Sequence, residues 1–365
     1  MIRPDHLGDA LLAAPTGVAL RVALPAARID WLVGPWAAEV VERAGRPNEI
    51  LTCEFPGFAR RPKRSPWEPY GELVRQARRL RVRRYDIALV LRPDHWWGAM
   101  LAAAAGIPRR LGYRVPECRP FLTDALAVDR GGHAVERGLA LARLAARLVD
   151  PSAEAARIEP TFSVHAEERA WASARLAAAG VGDDSPLVAI HPGSGAAVKN
   201  WLPRRWREVA TALQRDLGIS LVLTGGTAEA GLLGDVAAAL EPPPALVVAG
   251  ETTLGQLGAL FARCDLVLGG DSGPLHLAAA VGTATVRLYG PTDSAQFGPR
   301  GDAARQRVVE ATLPCQPCGN IVAPPCGAIS APACLRMIPT EQVVAEAEQV
   351  LALGMSPPPL APRLC

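Results

Sequence analysis

Hydrophobic and polar positions along this chain switch repeatedly between a period near 3.6 and short apolar runs. Leu7 to Leu20 repeats its apolar residues at helical spacing, Arg28 to Val33 reads as a strand, Pro35 to Arg43 as a helix and Glu49 to Cys53 as another strand. Phe55 to Pro69 breaks the rhythm with prolines and basic residues, which predicts a long exposed loop. Tyr70, Leu73, Val74, Ala77 and Leu80 restore helical spacing, Tyr85 to Leu91 is strand-like, and Trp96 to Ala105 is an apolar helix. A helix over His133 to Val149 leads into Asp150 to Pro160, which reads as a linker. The alternation then starts again. Helices are predicted over His165 to Ala179, Pro203 to Leu217, Ala228 to Leu240 and Leu254 to Ala262. Strands are predicted over Leu187 to His191, Ser220 to Thr224, Leu246 to Ala249, Leu266 to Leu268 and Thr283 to Tyr289. Such alternation predicts parallel sheets wrapped by helices, an α/β class.

The pattern divides into a first α/β domain at 1–155 and a second at 156–338, the latter with a Cys-rich loop at 314–335. A C-terminal helix follows at 339–354, and the proline-rich 355–365 is expected to be a disordered tail. A length of 365 residues favours two domains with sizeable cores. One feature breaks the regularity. A doubly wound domain begins with a buried strand, yet only Met1 to Pro4 precede the first turn, His6-Leu7-Gly8-Asp9. Either the chain begins further upstream or the domain tolerates a stub in its central strand.

Composition adds exclusions rather than a function. A hydrophobic content of 49% with 21% charged residues is that of a globular protein, and a net charge of +3 leaves any basic role to local clusters. No apolar run reaches the length of a membrane span, and the start lacks the layout of a signal peptide, so a cytoplasmic location is expected. Neither a G-x-G-x-x-G fingerprint nor a P-loop occurs, which disfavours a nicotinamide enzyme and an ATPase. The D-x-D sequence is also missing, so no metal-bridged diphosphate is expected. No stretch resembles a nucleic-acid module.

The chemistry concentrates in a few turns. Cys264 to Gly282 reads as a strand ended by Gly269-Gly270, then Asp271, then a helix start with Ser272 as N-cap and Pro274 in the first turn. Unpaired N–H groups at such a start, with Gly273 allowing close approach, suit a phosphate, and Asp271 and His276 lie within reach of groups attached to it. A capped helix without a ligand is the plainer reading. Asp9, in the first turn of the Leu7 helix, reads as a general base on a hydroxyl or as a carboxylate on the helix dipole. His191-Pro192-Gly193-Ser194-Gly195 leads to Lys199, whose charge would neutralise a diphosphate leaving group or simply face solvent. Pro192 stands where a serine-hydrolase elbow needs glycine, so Ser194 is not a nucleophile. Glu229, after Thr224-Gly225-Gly226, could accept from ribose hydroxyls.

Arg60, Arg61, Lys63 and Arg64 form a basic loop before an arginine-rich helix. Such runs are most often solvated faces; the functional reading is a patch for an anionic acceptor at a membrane surface. Cys315, Cys318, Cys326 and Cys334 place four thiols within twenty residues, a spacing that suits one tetrahedral zinc or iron of structural role, against reduced and uncoordinated thiols.

Taken together, Arg3 to Leu12 (R-P-D-H-L-G-D-A-L-L), H-P-G-S-G at His191, K-N-W at Lys199, Gly269 to Ala280 and Y-G-P-T at Tyr289 resemble the heptosyltransferases, glycosyltransferase family 9. The resemblance covers nearly the whole chain. It implies the GT-B fold, two Rossmann-like domains facing across a cleft, and inverting transfer of heptose from ADP-heptose to the lipopolysaccharide inner core. It further implies Asp9 as the base, and Ser194, Lys199, Glu229, Asp271, Ser272, Gly273 and His276 at the donor. An anionic glycolipid acceptor, contact with the cytoplasmic membrane face and no catalytic cofactor complete the expectation. The alternatives are a transferase using another nucleotide sugar or a protein acceptor, and an inert nucleotide-sugar-binding module.

Overall fold

The computed structural model describes residues 1–59, 61, 65–129, 131–182 and 185–354. The expected tail at 355–365 lies outside them, as do Arg60, Lys63 and Arg64. The chain divides into two compact units, one over Met1–Phe162 and one from Ser163 onward.

In the first unit β1 (Ile2–Arg3), β2 (Asp30–Val33) and β3 (Glu49–Thr52) form one parallel sheet in that order, and β4 (Ile87–Leu89), β5 (Arg109–Tyr113) and β6 (Asp124–Leu126) form another. A single parallel bridge, Ile2 to Val90, joins them, and the amide of Leu91 donates to the Ile2 carbonyl at 3.1 Å. The joined order is therefore 3-2-1-4-5-6, that of a Rossmann domain. Ile2, Leu32, Leu51 and Ala88 from the sheet pack with Ala77, Leu80, Trp97 and Leu101 from the helices Glu68–Val82 and Trp96–Ala104. The helices Leu7–Ala23 and Ala134–Val149 bury their own apolar sides, including Leu11, Ala14, Leu139 and Ala142.

The second unit repeats the plan at full length. β7 (Leu187–His191), β8 (Ser220–Gly225), β9 (Leu246–Ala249), β10 (Leu266–Gly270), β11 (Ala284–Tyr289) and β12 (Gln306–Glu310) form one parallel sheet in the order 12-11-10-7-8-9. β7, β10 and β11 are buried along their whole length, as continuous apolar runs require when helices cover both faces. Trp201 and Trp206 meet edge to face at 5.0 Å, and the Trp201 indole donates to the Leu335 carbonyl at 2.9 Å. The final helix, Thr340–Gly354, sends Val343, Ala347 and Val350 into this core, so it is part of the unit.

Candidate functional site

Strand order reverses between β7 and β10, and in an open parallel sheet the crevice beyond the carboxyl ends at such a point is where ligands bind. Four turns meet there, after β7, β8, β10 and β11. Their closeness is enforced by glycines. A Cβ at Gly269 would lie 2.6 Å from the His191 carbonyl oxygen and 2.5 Å from Leu275, and one at Gly193 would lie 1.9 Å from Glu229 Oε1. The loop from β7 turns through Ala197–Lys199 and carries the Lys199 ammonium to 3.1 Å from Asp271 Oδ2. Both side chains are largely buried. Burial alone would raise the Asp271 carboxyl, but the Lys199 charge and His276 outweigh it and hold the group well below the carboxylate range.

His276, in the helix Gly273–Ala280, has Nε2 3.7 Å from Asp271 Oδ1 and Nδ1 3.2 Å from Arg287 Nη1. A guanidinium only donates, so Nδ1 accepts and the ring proton sits on Nε2, facing Asp271. Burial lowers His276 to about 4, with the Arg287 charge acting in the same direction, so the ring is neutral at pH 7. Arg287 is wholly buried on β11, where Nε donates to Thr285 Oγ1 at 3.0 Å and Nη2 to the Leu275 carbonyl at 2.8 Å. Sequence reasoning missed it. Its signal was an arginine inside the otherwise apolar run of β11.

Ser272 occupies the N-cap position of that helix, as expected, but makes no capping bond. Its hydroxyl is buried and without a protein partner, a costly state that a bound acceptor atom relieves. Ser194 differs. Its hydroxyl lies 2.6 Å from Asn200 Oδ1 and 2.8 Å from the Ala196 carbonyl oxygen, so it braces the loop that delivers Lys199. Glu229 accepts from the Gly226 amide at 2.7 Å and faces His191 Nε2 at 3.8 Å. His191 in turn lies 3.0 Å from Thr224 Oγ1, and burial lowers it to about 4.

In the first unit Asp9 stands in the first turn of the helix that follows β1. Its carboxylate is 40% exposed and pairs with Arg3 Nη2 at 3.1 Å. Arg3, nearly buried, also pairs with Asp5 at 2.8 Å and donates to the Leu91 carbonyl at 3.1 Å, while Arg92 holds the other Asp5 oxygen. Arg3 therefore ties Asp9 to this buried charge cluster, a partner the sequence displayed only as part of a motif. Of the basic loop, Arg61 is described, and its guanidinium pairs with Glu54 and Glu68, each at 2.5 Å. Arg60, Lys63 and Arg64 fall outside the described residues.

Cys315, Cys318, Cys326 and Cys334 line one small apolar pocket of about 40 Å³. Burial, reinforced by the Cys318 and Cys326 thiols, pushes Cys334 up. The donor chemistry suits zinc or iron, yet among the described residues no group of three or more His, Cys, Asp or Glu is arranged to hold a metal ion. No described helix is long and apolar enough to cross a membrane.

The model of glycosyltransferase family 9 (heptosyltransferase) matches residues 73–324. The chain is similar to lipopolysaccharide heptosyltransferase 2 of Escherichia coli K12, 29% identical over 315 residues that span 82% of this chain and 84% of that protein. Among solved structures it resembles the family 9 glycosyltransferase of Veillonella parvula, with a TM-score of 0.78, 25% identity and 96% of each chain covered. It also resembles the ADP-heptose lipopolysaccharide heptosyltransferase II of E. coli in fold, with a TM-score of 0.75, 24% identity, and 97% and 98% of the two chains covered. Two Rossmann-like units are the composition of the GT-B fold, as the resemblance implied. The family model spans well over half of the chain, and the chain belongs to glycosyltransferase family 9, the heptosyltransferases.

Proposed function

We propose that this glycosyltransferase moves heptose from ADP-heptose to a lipopolysaccharide inner-core acceptor, with inversion at the anomeric carbon. The observation that carries the donor half is the buried, unpartnered Ser272 hydroxyl at a helix start beside the Lys199 ammonium. In this reading the hydroxyl donates to a phosphate oxygen, the Gly273 end of the helix supplies N–H groups and dipole, and Lys199 spends one N–H on Asp271 and keeps two for the diphosphate. Asp271 and His276 position Lys199 and the sugar, Glu229 accepts from ribose, and Ser194 shapes the loop. Asp9 takes the proton of the acceptor hydroxyl, whose oxygen bonds to the anomeric carbon as the bond to the diphosphate breaks. The charge that develops on the departing ADP is met by Lys199 and the helix end. The name of a relative, lipopolysaccharide heptosyltransferase 2, supports heptose as the group moved and lipopolysaccharide as the acceptor class.

The acceptor is read as an anionic glycolipid met at the cytoplasmic face of the membrane, with Arg60, Arg61, Lys63 and Arg64 as its basic patch. Arg61 enters this reading as part of a pinned charge network rather than as a lone cation. A single structural zinc or iron on Cys315, Cys318, Cys326 and Cys334 would pin the loop before the last helix. Metal content per chain checks this, with the melting temperature after chelation; a metal-free protein of unchanged stability contradicts it.

The donor is tested by thermal shift, because a ligand that binds only the native state raises its stability. ADP-heptose is expected to raise the melting temperature of the parent and to lose most of that effect in Lys199→Ala. A shift with UDP-sugars alone would overturn the donor assignment.

A further inference from the structure

Arg287 is wholly buried beneath the first turn of the helix Gly273–Ala280, with Nη2 on the Leu275 carbonyl, Nη1 on His276 Nδ1 and Nε on Thr285 Oγ1. All three partners are uncharged. Asp271, the carboxylate whose field reaches Arg287, spends its two oxygens on Lys199 and His276, and among the described residues Arg287 has no ion pair of its own. Burial weakens the hold of the guanidinium on its proton, yet such a group stays charged in a protein. A cation without its own counter-ion is an expensive thing to bury.

The sheet puts it there. Arg287 is level with Gly269 of β10, so the two positions share a face, and a Cβ at Gly269 would lie 2.5 Å from Leu275 of the covering helix. Donors and acceptors then fix one another along a line. Gln306 Nε2 donates to the Thr283 carbonyl at 2.9 Å, so its Oε1 is the acceptor that takes the Thr285 hydroxyl proton at 2.6 Å. Thr285 Oγ1 accepts from Arg287 Nε, Arg287 donates to His276 Nδ1, and His276 turns its Nε2 proton towards Asp271, which holds Lys199. An edge strand is thereby linked to the ammonium at the candidate site.

Charge does not balance along this line. Lys199 and Arg287 are cations, Asp271 is a carboxylate held ionised, and burial keeps His276 neutral and Tyr289 protonated. One positive charge is left over, beside a helix start and the unpartnered Ser272 hydroxyl. Water does not reach Arg287 to screen it, so an anion at Ser272 feels its field at low dielectric.

We propose that Arg287 is a positioning residue for the donor diphosphate: it sets the His276 tautomer that braces Asp271 and Lys199, and its unpaired charge is matched when the diphosphate arrives. This rests on the reading of the Ser272 turn as the diphosphate subsite.

The test separates charge from hydrogen bonding. Arg287→Lys keeps the charge, Arg287→Gln keeps a donor for His276 without it, and Arg287→Met removes both while filling the space of the buried stem. Binding of inorganic pyrophosphate is measured by isothermal titration at constant ionic strength. Arg287→Gln and Arg287→Met are expected to bind about tenfold or more weakly than the parent, and Arg287→Lys within about threefold of it. A loss in Arg287→Lys as large as that in Arg287→Gln, or neutral variants that bind within about threefold of the parent, would overturn the role of Arg287. Lys199→Ala distinguishes this failure from that of the donor reading. Weak binding in Lys199→Ala beside full binding in Arg287→Met overturns the role of Arg287 alone, whereas full binding in Lys199→Ala places the anion elsewhere and overturns both.

Discussion

Each unit carries a carboxylate beside a cation where a central strand gives way to a helix, and the two pairs are built for opposite purposes. Asp9 is 40% exposed and pairs with the nearly buried Arg3, so its carboxylate is in contact with solvent. Asp271 is 10% exposed and wedged between Lys199 and His276. Burial raises the stakes of the second pair, because a charge left there without its partner is uncompensated, whereas water screens the first. The difference teaches which carboxylate is accessible to solvent and which is a buried anchor. A proton on Asp271 would cost its buried contact with Lys199; a proton on Asp9 is taken up at a carboxylate that is 40% exposed.

The comparison breaks most visibly in stability. Asp271→Asn leaves the Lys199 ammonium buried without its counter-charge and is expected to cost about 3–5 kcal/mol in urea denaturation at pH 7. Asp9→Asn is expected to stay within about 1 kcal/mol of the parent. Equal losses would erase the distinction between anchor and base.

Acid sharpens it next. His191 and His276 have folded values near 4, below the ordinary 6.5, so the unfolded chain binds the proton first. Their contribution is full above about pH 6.5 and falls as pH drops towards 4, by up to about 3 kcal/mol for each ring. The lowered Asp271 carboxyl adds a further loss only below about pH 4, where the unfolded chain takes up its proton. Unfolding midpoints followed from pH 7.5 to 4.5 should decline accordingly, and His191→Gln should flatten part of the decline. A flat profile over that range contradicts burial of neutral rings.

The smallest expected effect concerns Arg3. Removing its charge in Arg3→Gln should move the acid limb of the kcat profile up by about 1 pH unit, as a carboxylate loses a neighbouring cation. Arg3→Lys should restore part of the shift. A purely structural arginine would lower the amount of active enzyme and leave the limb where it was.

Much of this was legible in the chain. Leu187 to His191, Leu246 to Ala249 and Pro203 to Leu217 fall where their patterns place them, because uninterrupted apolar runs and a strong amphipathic face leave little choice. β5, β6 and β12 escaped. Their sequences, Arg109 to Tyr113, Asp124 to Leu126 and Gln306 to Glu310, mix charged and apolar residues, and β6 and β12 are edge strands whose pairing rests on neighbours rather than on their own pattern. The turns that bear Asp271 and Lys199 were readable from glycine and capping chemistry. The pairing of Arg61 with Glu54 and Glu68, the Arg287 beneath His276 and the orphaned hydroxyl of Ser272 were not, since each depends on which side chains the fold brings face to face.

The most direct measurement is the turnover of Asp9→Asn with ADP-heptose and an inner-core acceptor, read beside its affinity for ADP-heptose. The loss of a general base predicts kcat lower by about 10²–10⁴-fold with donor affinity unchanged. Turnover near that of the parent would contradict the assignment of Asp9 as the base, and with it the division of labour between the two carboxylates.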